Sequence, residues 1–251
     1  MGCIIAMIVC GVLTQQITIT STLLKMKMKK PFLSLAILAC VSFASASASA
    51  ADVGVSVTAG TTGLGLHASY PVMPKLNARV GVNYLNYNYD GSTSDADYKF
   101  NMKLMTVDVL ADYFPMDNGF RLTGGLVYNG NKFDVNMKPN SGAEYVLNGT
   151  TYSAAQAGSI NGSVDFKKVA PYLGIGWGNA VKNTGWGFSA DLGVMFQGSP
   201  NSNLTNSGCQ ASAATCNQLA NDIAVEKTKL NDEVSSFKSY PVLRIGASYR
   251  F

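Results

Sequence analysis

Apolar and polar residues alternate strictly along the last stretch of the chain. Every second residue from 243 to 251 is apolar, and the residues between them are arginine, glycine or serine. A period of two predicts a β-strand with one apolar and one polar face. The apolar face comprises Leu243, Ile245, Ala247, Tyr249 and Phe251. Such a strand suits a soluble β-sandwich or a membrane barrel, and the other strands of the chain discriminate between the two.

The same alternation predicts seven further strands. They lie near 53–59, 64–70, 76–84, 98–113 and 120–128, then in a segment that ends at 178, and finally at 186–196. Within the fourth strand the apolar positions change phase, from even residue numbers up to Leu104 to odd numbers from Val107 onward. A β-bulge near 104–106 would cause such a shift, so the sequence predicts one there.

The lengths of the connections alternate along the chain. Short turns are predicted at 71–75, 115–119 and 180–185, and longer connections at 91–97, 136–162 and 198–238. Only the turn at 60–63 is short where a long connection is expected. Short turns opposite long loops, with an even strand count, are typical of bacterial outer-membrane barrels. The predicted fold is therefore all-β, an eight-stranded antiparallel up-and-down transmembrane β-barrel.

The apolar faces favour the membrane over a soluble eight-stranded barrel, which would turn them inward. No lysine or arginine interrupts the apolar faces of the sixth and seventh strands. Aromatic residues collect at the short-turn ends, as a membrane girdle requires. They are Tyr70, Tyr113, Phe120, Trp186, Tyr249 and Phe251.

The polar faces of the strands carry charges that a membrane barrel places in its lumen. They are Arg79, Asp108, Asp112, Arg121, Asp191 and Arg244. A lone buried ion is costly, so these groups are expected to pair and to plug the barrel. Asp112 and Arg121 are equally spaced about a turn centred between residues 116 and 117, which predicts that they face each other across neighbouring strands.

Residues 1–50 have the organisation of an export leader. Basic residues precede an apolar core, and an Ala-x-Ala site follows, which predicts a signal peptide cleaved near Ala50 with a true start at Met26 or Met28. Lipidation at Cys40 is the disfavoured alternative. The leader holds four of the 19 basic residues and no acidic one, so the rest has fifteen of each and no basis for nucleic-acid binding.

The long connections contain three further predicted features. Cys209 and Cys216 are expected to form a disulfide in an oxidising periplasm, since no nearby histidine completes a metal site. The Asn-Gly step at 148–149 predicts a small hairpin. Helical spacing within 217–237 predicts an amphipathic helix, either packed on the barrel rim or offering a surface to a partner or lipid. Its apolar positions are Leu219, Ile223, Val225, Leu230 and Val234.

In layout, residues 52–251 resemble the small eight-stranded outer-membrane proteins of Gram-negative bacteria, the OmpA-like barrel and opacity-protein superfamily. The specific likeness lies in 240–251, in the 112–115 turn approach and in 170–174. The terminal strand also resembles the sorting signal that the barrel-assembly machinery recognises. The resemblance implies an integral protein of the outer membrane, in contact with its lipid and lipopolysaccharide, acting as an anchor, an adhesin or a very narrow channel.

Two functions stay open from the sequence. The favoured one is a closed barrel that acts through its external loops, whose ligand the sequence does not indicate. The other is a narrow channel for ions or small solutes, because glycines thin the lumen wall. The inward glycines are Gly65, Gly81, Gly125, Gly174, Gly176, Gly187, Gly193 and Gly246. His67 and Ser69 resemble a pair used by outer-membrane lipid-modifying enzymes, but without an assignable acidic partner no enzyme and no cofactor are predicted.

Overall fold

Thirteen strands and two helices make up the computed structural model, which describes residues 52–92, 96–116, 118–140, 142 and 144–251. The strands are β1 (Gly54–Gly60), β2 (Gly63–Met73), β3 (Leu76–Ser92), β4 (Ala96–Tyr113), β5 (Phe120–Asn129), β6 (Lys132–Pro139), β7 (Glu144–Leu147), β8 (Thr150–Ser153), β9 (Ser159–Asp165), β10 (Val169–Trp177), β11 (Gly185–Met195), β12 (Asn201–Ser207) and β13 (Tyr240–Arg250). The helices are α1 (Ala154–Ala157) and α2 (Ala213–Val234). The predicted signal peptide lies outside the described residues.

Eight of these strands close into a ring, in the order β1, β2, β3, β4, β5, β10, β11, β13 and back to β1, with every neighbouring pair antiparallel. They coincide with the eight strands predicted from the alternation, so the barrel is confirmed. The strand proposed as the assembly signal, β13, pairs with β1 on one side and β11 on the other. Its apolar residues Leu243 and Ile245 face outward and are exposed.

The outside of the ring is apolar and the inside is polar. On β11 and just beyond it, Trp186, Phe188, Leu192 and Phe196 are exposed, whereas Asp191 on the other face is buried. Eleven residues of tilted strand span about 26–30 Å of height, close to the apolar band of a membrane barrel. This distribution is the inverse of a soluble protein, and it suits a bilayer.

Aromatic side chains border the apolar band at both ends. At the short-turn end the rings of Trp186 and Tyr249 are 5.2 Å apart, and those of Tyr249 and Phe251 are also 5.2 Å apart. At the opposite end, which we call the external end, Tyr84, Tyr128 and Phe196 are exposed. The sequence pattern indicated only the first of these two belts.

The predicted bulge in the fourth strand is wrong. Strand β4 pairs with β3 in one unbroken register from residue 96 to residue 113. Met102 and Leu104 are buried on the same inner face as Asp108, and Lys103 is exposed on the outer face with Met105. The backbone therefore keeps its phase while the surroundings change. Below Met105 the outer face meets lipid, and above it the outer face meets water, so the apolar residues switch sides.

The regions 136–162 and 198–238 are not irregular loops. The upper parts of β3 and β4 continue past the band and, with β6, β9 and β12, form a five-stranded sheet. The hairpin β7–β8 and helix α2 complete what we call the external unit. Strands β9 and β12 escaped prediction because serine, asparagine and glycine dominate their sequences and no period of two appears.

A small apolar core holds the external unit together, formed by the hairpin, the sheet and helix α2. Its members are Tyr145, Leu147, Tyr152, Ala154, Ala157, Ile160, Leu219 and Ile223. The hairpin turns at Asn148 and Gly149, both with positive φ, as predicted. The helix is confirmed but packs on β7 and β12 rather than on the barrel rim, and Val225 is exposed rather than part of its core.

Two local features fix the N-terminal end of helix α2. The Ser212 side chain accepts a hydrogen bond from the backbone N–H of Thr215, which caps the first turn. Cys209 and Cys216 form the predicted disulfide just before and within that turn. Within the described part of the chain, no helix is long and apolar enough to span a membrane.

Candidate functional site

Four of the predicted lumen charges form one cluster near the short-turn end. The Arg79 guanidinium contacts Asp112 at 2.9 Å and Asp191 at 2.9 Å. Arg121 contacts Asp191 at 2.7 Å. The side chains of all four are at most 5% exposed. Two arginines and two aspartates balance in charge, so each buried ion has partners within hydrogen-bond or ion-pair distance.

The predicted pairing of Asp112 with Arg121 is two residues out of register. Residue 112 lies opposite Thr123, because the β4–β5 turn is centred one residue later than the sequence suggested. The Thr123 hydroxyl donates to Asp112 at 2.6 Å, and the Arg121 Nε is a diagonal neighbour 3.6 Å from the same carboxylate. Arg121 instead makes its shorter contact with Asp191 across the lumen.

The other two predicted charges, Asp108 and Arg244, form a second cluster. Arg244 contacts Asp108 at 2.8 Å, and the Asn83 amide donates to the same carboxylate at 2.9 Å. His67 completes the group, with its Nε2 3.2 Å from Asp108. Arg244 also donates to the Thr62 hydroxyl at 3.0 Å. The structure thus brings all six predicted charges into two compact clusters.

His67 has the acidic partner that its sequence neighbourhood did not reveal. Asp108 follows it by 41 residues but lies on β4, one strand away from β3, which pairs with the strand of His67. His67 is 1% exposed and Ser69 is 4% exposed, both inside the ring. A lipid substrate on the outside of the barrel has no path to either side chain. The arrangement is that of a buried polar network.

Bulky side chains fill the space that the inward glycines leave. A Cβ at Gly81 would lie 2.0 Å from the His67 ring, and one at Gly193 would lie 2.4 Å from the Tyr172 hydroxyl. A Cβ at Gly176 would lie 2.8 Å from Arg121 Nε. These glycines therefore make room for the bulky side chains beside them.

An apolar cluster fills the lumen beside the charged groups. It comprises the buried residues Leu110, Val127, Ala170, Tyr172, Met195 and Val242, with Tyr240 packed against them. The Arg244 guanidinium lies 5.9 Å from the centre of the Tyr172 ring, which joins the apolar cluster to the second charged cluster. A charged cluster and an apolar cluster therefore lie beside each other inside the ring.

The turn between β10 and β11 folds over the short-turn mouth. The Arg121 side chain donates to the Gly178 carbonyl, and the Asn77 amide donates to Asn179 at 3.0 Å. A polar cavity of about 10 Å³ remains beside Arg79 and Phe114, close to the volume that one water needs. These contacts hold the turn against the side chains that line the short-turn mouth.

In the external unit, hydrogen bonds attach the β7–β8 hairpin to helix α2. The Tyr152 hydroxyl donates to Asp222 at 2.5 Å, the Asn148 amide donates to the same carboxylate at 3.2 Å, and the Asn148 backbone N–H donates to Glu226 at 3.0 Å. Burial and the neighbouring carboxylate raise the pKa of Tyr152 to about 12. The hydrogen bond from Tyr152 lowers the pKa of Asp222 below its usual range.

One side chain protects the edge of the external sheet. The Asn231 amide of α2 accepts the backbone N–H of Ser202 on β12 at 2.7 Å and donates to the Ser202 carbonyl at 3.3 Å. The amide thus occupies backbone groups that another strand would otherwise pair with. Blocking an edge in this way is a known means of avoiding edge-to-edge association.

Among solved structures, the fold is similar to that of CarO2 from Acinetobacter baumannii, with 19% sequence identity and a TM-score of 0.51 over 79% of this chain and 98% of that chain. CarO from the same organism also matches, with 20% identity and a TM-score of 0.49 over 79% of this chain and 97% of that chain. Ail, the attachment invasion locus protein of Yersinia pestis, matches with 8% identity and a TM-score of 0.33 over 79% of this chain and 93% of that chain. No protein-family model and no curated protein matches the sequence. The likeness to CarO2 confirms the fold of a small outer-membrane β-barrel, in agreement with the predicted localisation.

Proposed function

We propose that the protein is an outer-membrane anchor with a closed lumen, which holds the external unit at the cell surface for interaction with a partner. The observation that carries the proposal is the filling of the lumen. Inward glycines face side chains of the plug, and an apolar cluster and buried ion pairs lie inside the ring. A closed barrel has no transport to perform, so its activity belongs to the part beyond the membrane.

The channel alternative would need a path past Arg79, Arg121 and Tyr172. The two arginines are each held by two carboxylates, and the Tyr172 ring occupies the space beside two glycines. Opening such a path means separating buried ion pairs, which costs several kcal/mol per ion. The energetics therefore favour closure as the resting condition.

The external unit has the construction of a binding module on a rigid support. Strands β9 and β12 of its sheet are rich in asparagine and serine, and the unit is cross-linked by a disulfide and an internal hydrogen-bond network. The external unit is ordered before any partner binds, so binding would cost little conformational entropy. We also propose contact with outer-membrane lipid and lipopolysaccharide, and recognition of β13 by the barrel-assembly machinery during biogenesis.

Single-channel conductance in a planar bilayer tests the proposal, with residues 51–251 refolded as the unmodified chain and as Asp112→Ala. The unmodified protein is expected to be silent. The variant is expected to leak, because Arg79 and Arg121 lose a shared carboxylate in the plug. Asp134→Ala is the matched control, since that carboxylate lies outside the lumen and pairs with Lys132. Steady conductance in the unmodified protein would refute the closed lumen and support the channel.

A further inference from the structure

We infer that a belt of lysines just beyond the apolar band binds the phosphate groups of a membrane lipid; this inference rests on the proposed membrane location. The lysine belt comprises Lys103, Lys132, Lys167, Lys168 and Lys238. All five lie at the external end of the barrel, where strands leave the band and the external unit begins. The interaction surface they form fits an anion that is anchored in the lipid beneath it.

The belt lies directly above exposed apolar residues. On the outer face of β4, Lys103 is the next residue above Met105, which is 39% exposed. Lys132 lies opposite Lys103 in the β4–β6 register and so occupies the same height. Lys167 lies two residues before Val169, the first residue of β10, and Val169 is 60% exposed. The apolar surface and the cations are therefore adjacent on the same wall.

At the external ends of β10, β11 and β13, three connecting segments bring lysines together around Gly198. A Cβ at that position would lie 2.8 Å from the Lys167 Cδ, so the glycine makes room for the lysine stem. The backbone N–H of Gly198 donates to the Lys238 carbonyl at 3.1 Å. Lys168 is held in the same region because its carbonyl accepts from the Asn129 N–H at 2.7 Å.

The belt brings like charges together. Lys103 and Lys132 are directly opposite each other on one face, an arrangement that is unfavourable for like charges. Asp134 contacts Lys132 at 2.8 Å, and Asp165 lies opposite Lys132 on β9, so both carboxylates lie beside the same lysine. A ligand with more than one negative charge would relieve the repulsion.

The height of the belt identifies the source of that anion. Lipid head groups lie just beyond the apolar band of a membrane barrel, level with the aromatic residues Tyr84, Tyr128 and Phe196. Long lysine stems rest on apolar surface while their ammonium groups reach the head-group layer. A lipid that carries phosphate monoesters would place its chains on the band and its charges on the lysines. Basic groups at this depth bind anionic head groups in other membrane proteins.

Binding can be measured with the full protein in detergent, titrated with three probes: a bis-phosphorylated glycolipid, the same lipid after removal of both phosphates, and inorganic phosphate. The test variant is Lys103→Gln with Lys167→Gln and Lys238→Gln. The control is Lys75→Gln with Lys99→Gln and Lys182→Gln, which removes the same charge away from the belt. The bis-phosphorylated lipid is expected to bind at least tenfold tighter to the unmodified protein and the control than to the test variant.

Three outcomes would overturn the inference. Equal lipid affinity of the test variant and the unmodified protein would show that the lysines act only as non-selective anchors. Equal binding of the dephosphorylated lipid would remove phosphate from the interaction. Competition by inorganic phosphate at the lipid's own concentration would assign the belt to a soluble anion. Folding of each variant is checked by the shift in gel mobility on heating; loss of that shift in the unmodified protein would instead count against the proposed barrel function.

Discussion

Asp191 is a fully buried carboxylate that binds two lumen arginines, and its replacement by asparagine gives the sharpest test of the plug. It accepts hydrogen bonds from Arg79 at 2.9 and 3.0 Å and from Arg121 at 2.7 Å, and its side chain is fully buried. The asparagine has nearly the same shape but no charge. Two guanidinium groups would then share the single carboxylate of Asp112.

The expected cost follows from the uncompensated charge. Removing one partner of a buried ion pair typically lowers the free energy of unfolding by about 3–5 kcal/mol. Because each 1.4 kcal/mol is a factor of ten, Asp191→Asn should lower the folding equilibrium constant by roughly a hundredfold to a thousandfold or more. Asp134→Asn, at a carboxylate that is 35% exposed, should cost less than about 1 kcal/mol and serves as the control.

Urea unfolding in lipid vesicles provides the assay, followed by tryptophan fluorescence and by the heat-dependent gel mobility of the barrel. A third protein, Arg79→Leu with Asp191→Leu, restores neutrality and leaves Arg121 with Asp112. It should recover at least half of the stability lost in Asp191→Asn, because a buried pair can be exchanged for apolar groups at little cost. A cost below about 1 kcal/mol for Asp191→Asn, or no recovery in the double variant, would refute the electrostatic explanation of closure.

Three further predictions concern packing, pH and the disulfide. Gly81→Ala should destabilise the barrel by about 1–3 kcal/mol in the same urea assay, since the new methyl group overlaps the His67 ring, and combining it with His67→Ala should relieve that overlap. The pKa of Tyr152 is raised to about 12, so the stabilisation that its hydroxyl gives the external unit is complete below about pH 10 and is lost as the pH rises through 12. Hydrogen exchange of the external unit should therefore accelerate in that pH range, and it should accelerate less in Tyr152→Phe. Reducing the Cys209–Cys216 bond should weaken the external unit by about 2–3 kcal/mol, measured as faster proteolysis of that unit with unchanged barrel mobility.

The barrel was predictable because a strand that separates lipid from a polar lumen must alternate at every position. The charged residues followed from the same rule, since the polar face of each strand points into one shared space. Register was harder to predict. The turn after β4 is centred one residue later than the sequence suggested, so Thr123 rather than Arg121 lies opposite Asp112.

The external unit was only partly predictable, for two physical reasons. Its helix and hairpin have local signals, a spacing of three to four residues and an Asn-Gly turn, and both were found. Strands β9 and β12 are exposed on one face and have small polar residues on much of the other, so no periodicity distinguishes them from loop. The apparent phase change in β4 was misinterpreted because it records a change of solvent along an unbroken strand.

The uninterrupted run of β3 and β4 also determines how the protein responds to load. From Met105 to Asp97 the strand rises about 20 Å beyond the band without a linker, and it remains paired with β3 over that whole length. A hinge would need a break in this ladder. Force applied to a partner at the tip is therefore converted into tilt of the whole barrel within the bilayer, and the membrane's own stiffness sets how far the attached surface can turn.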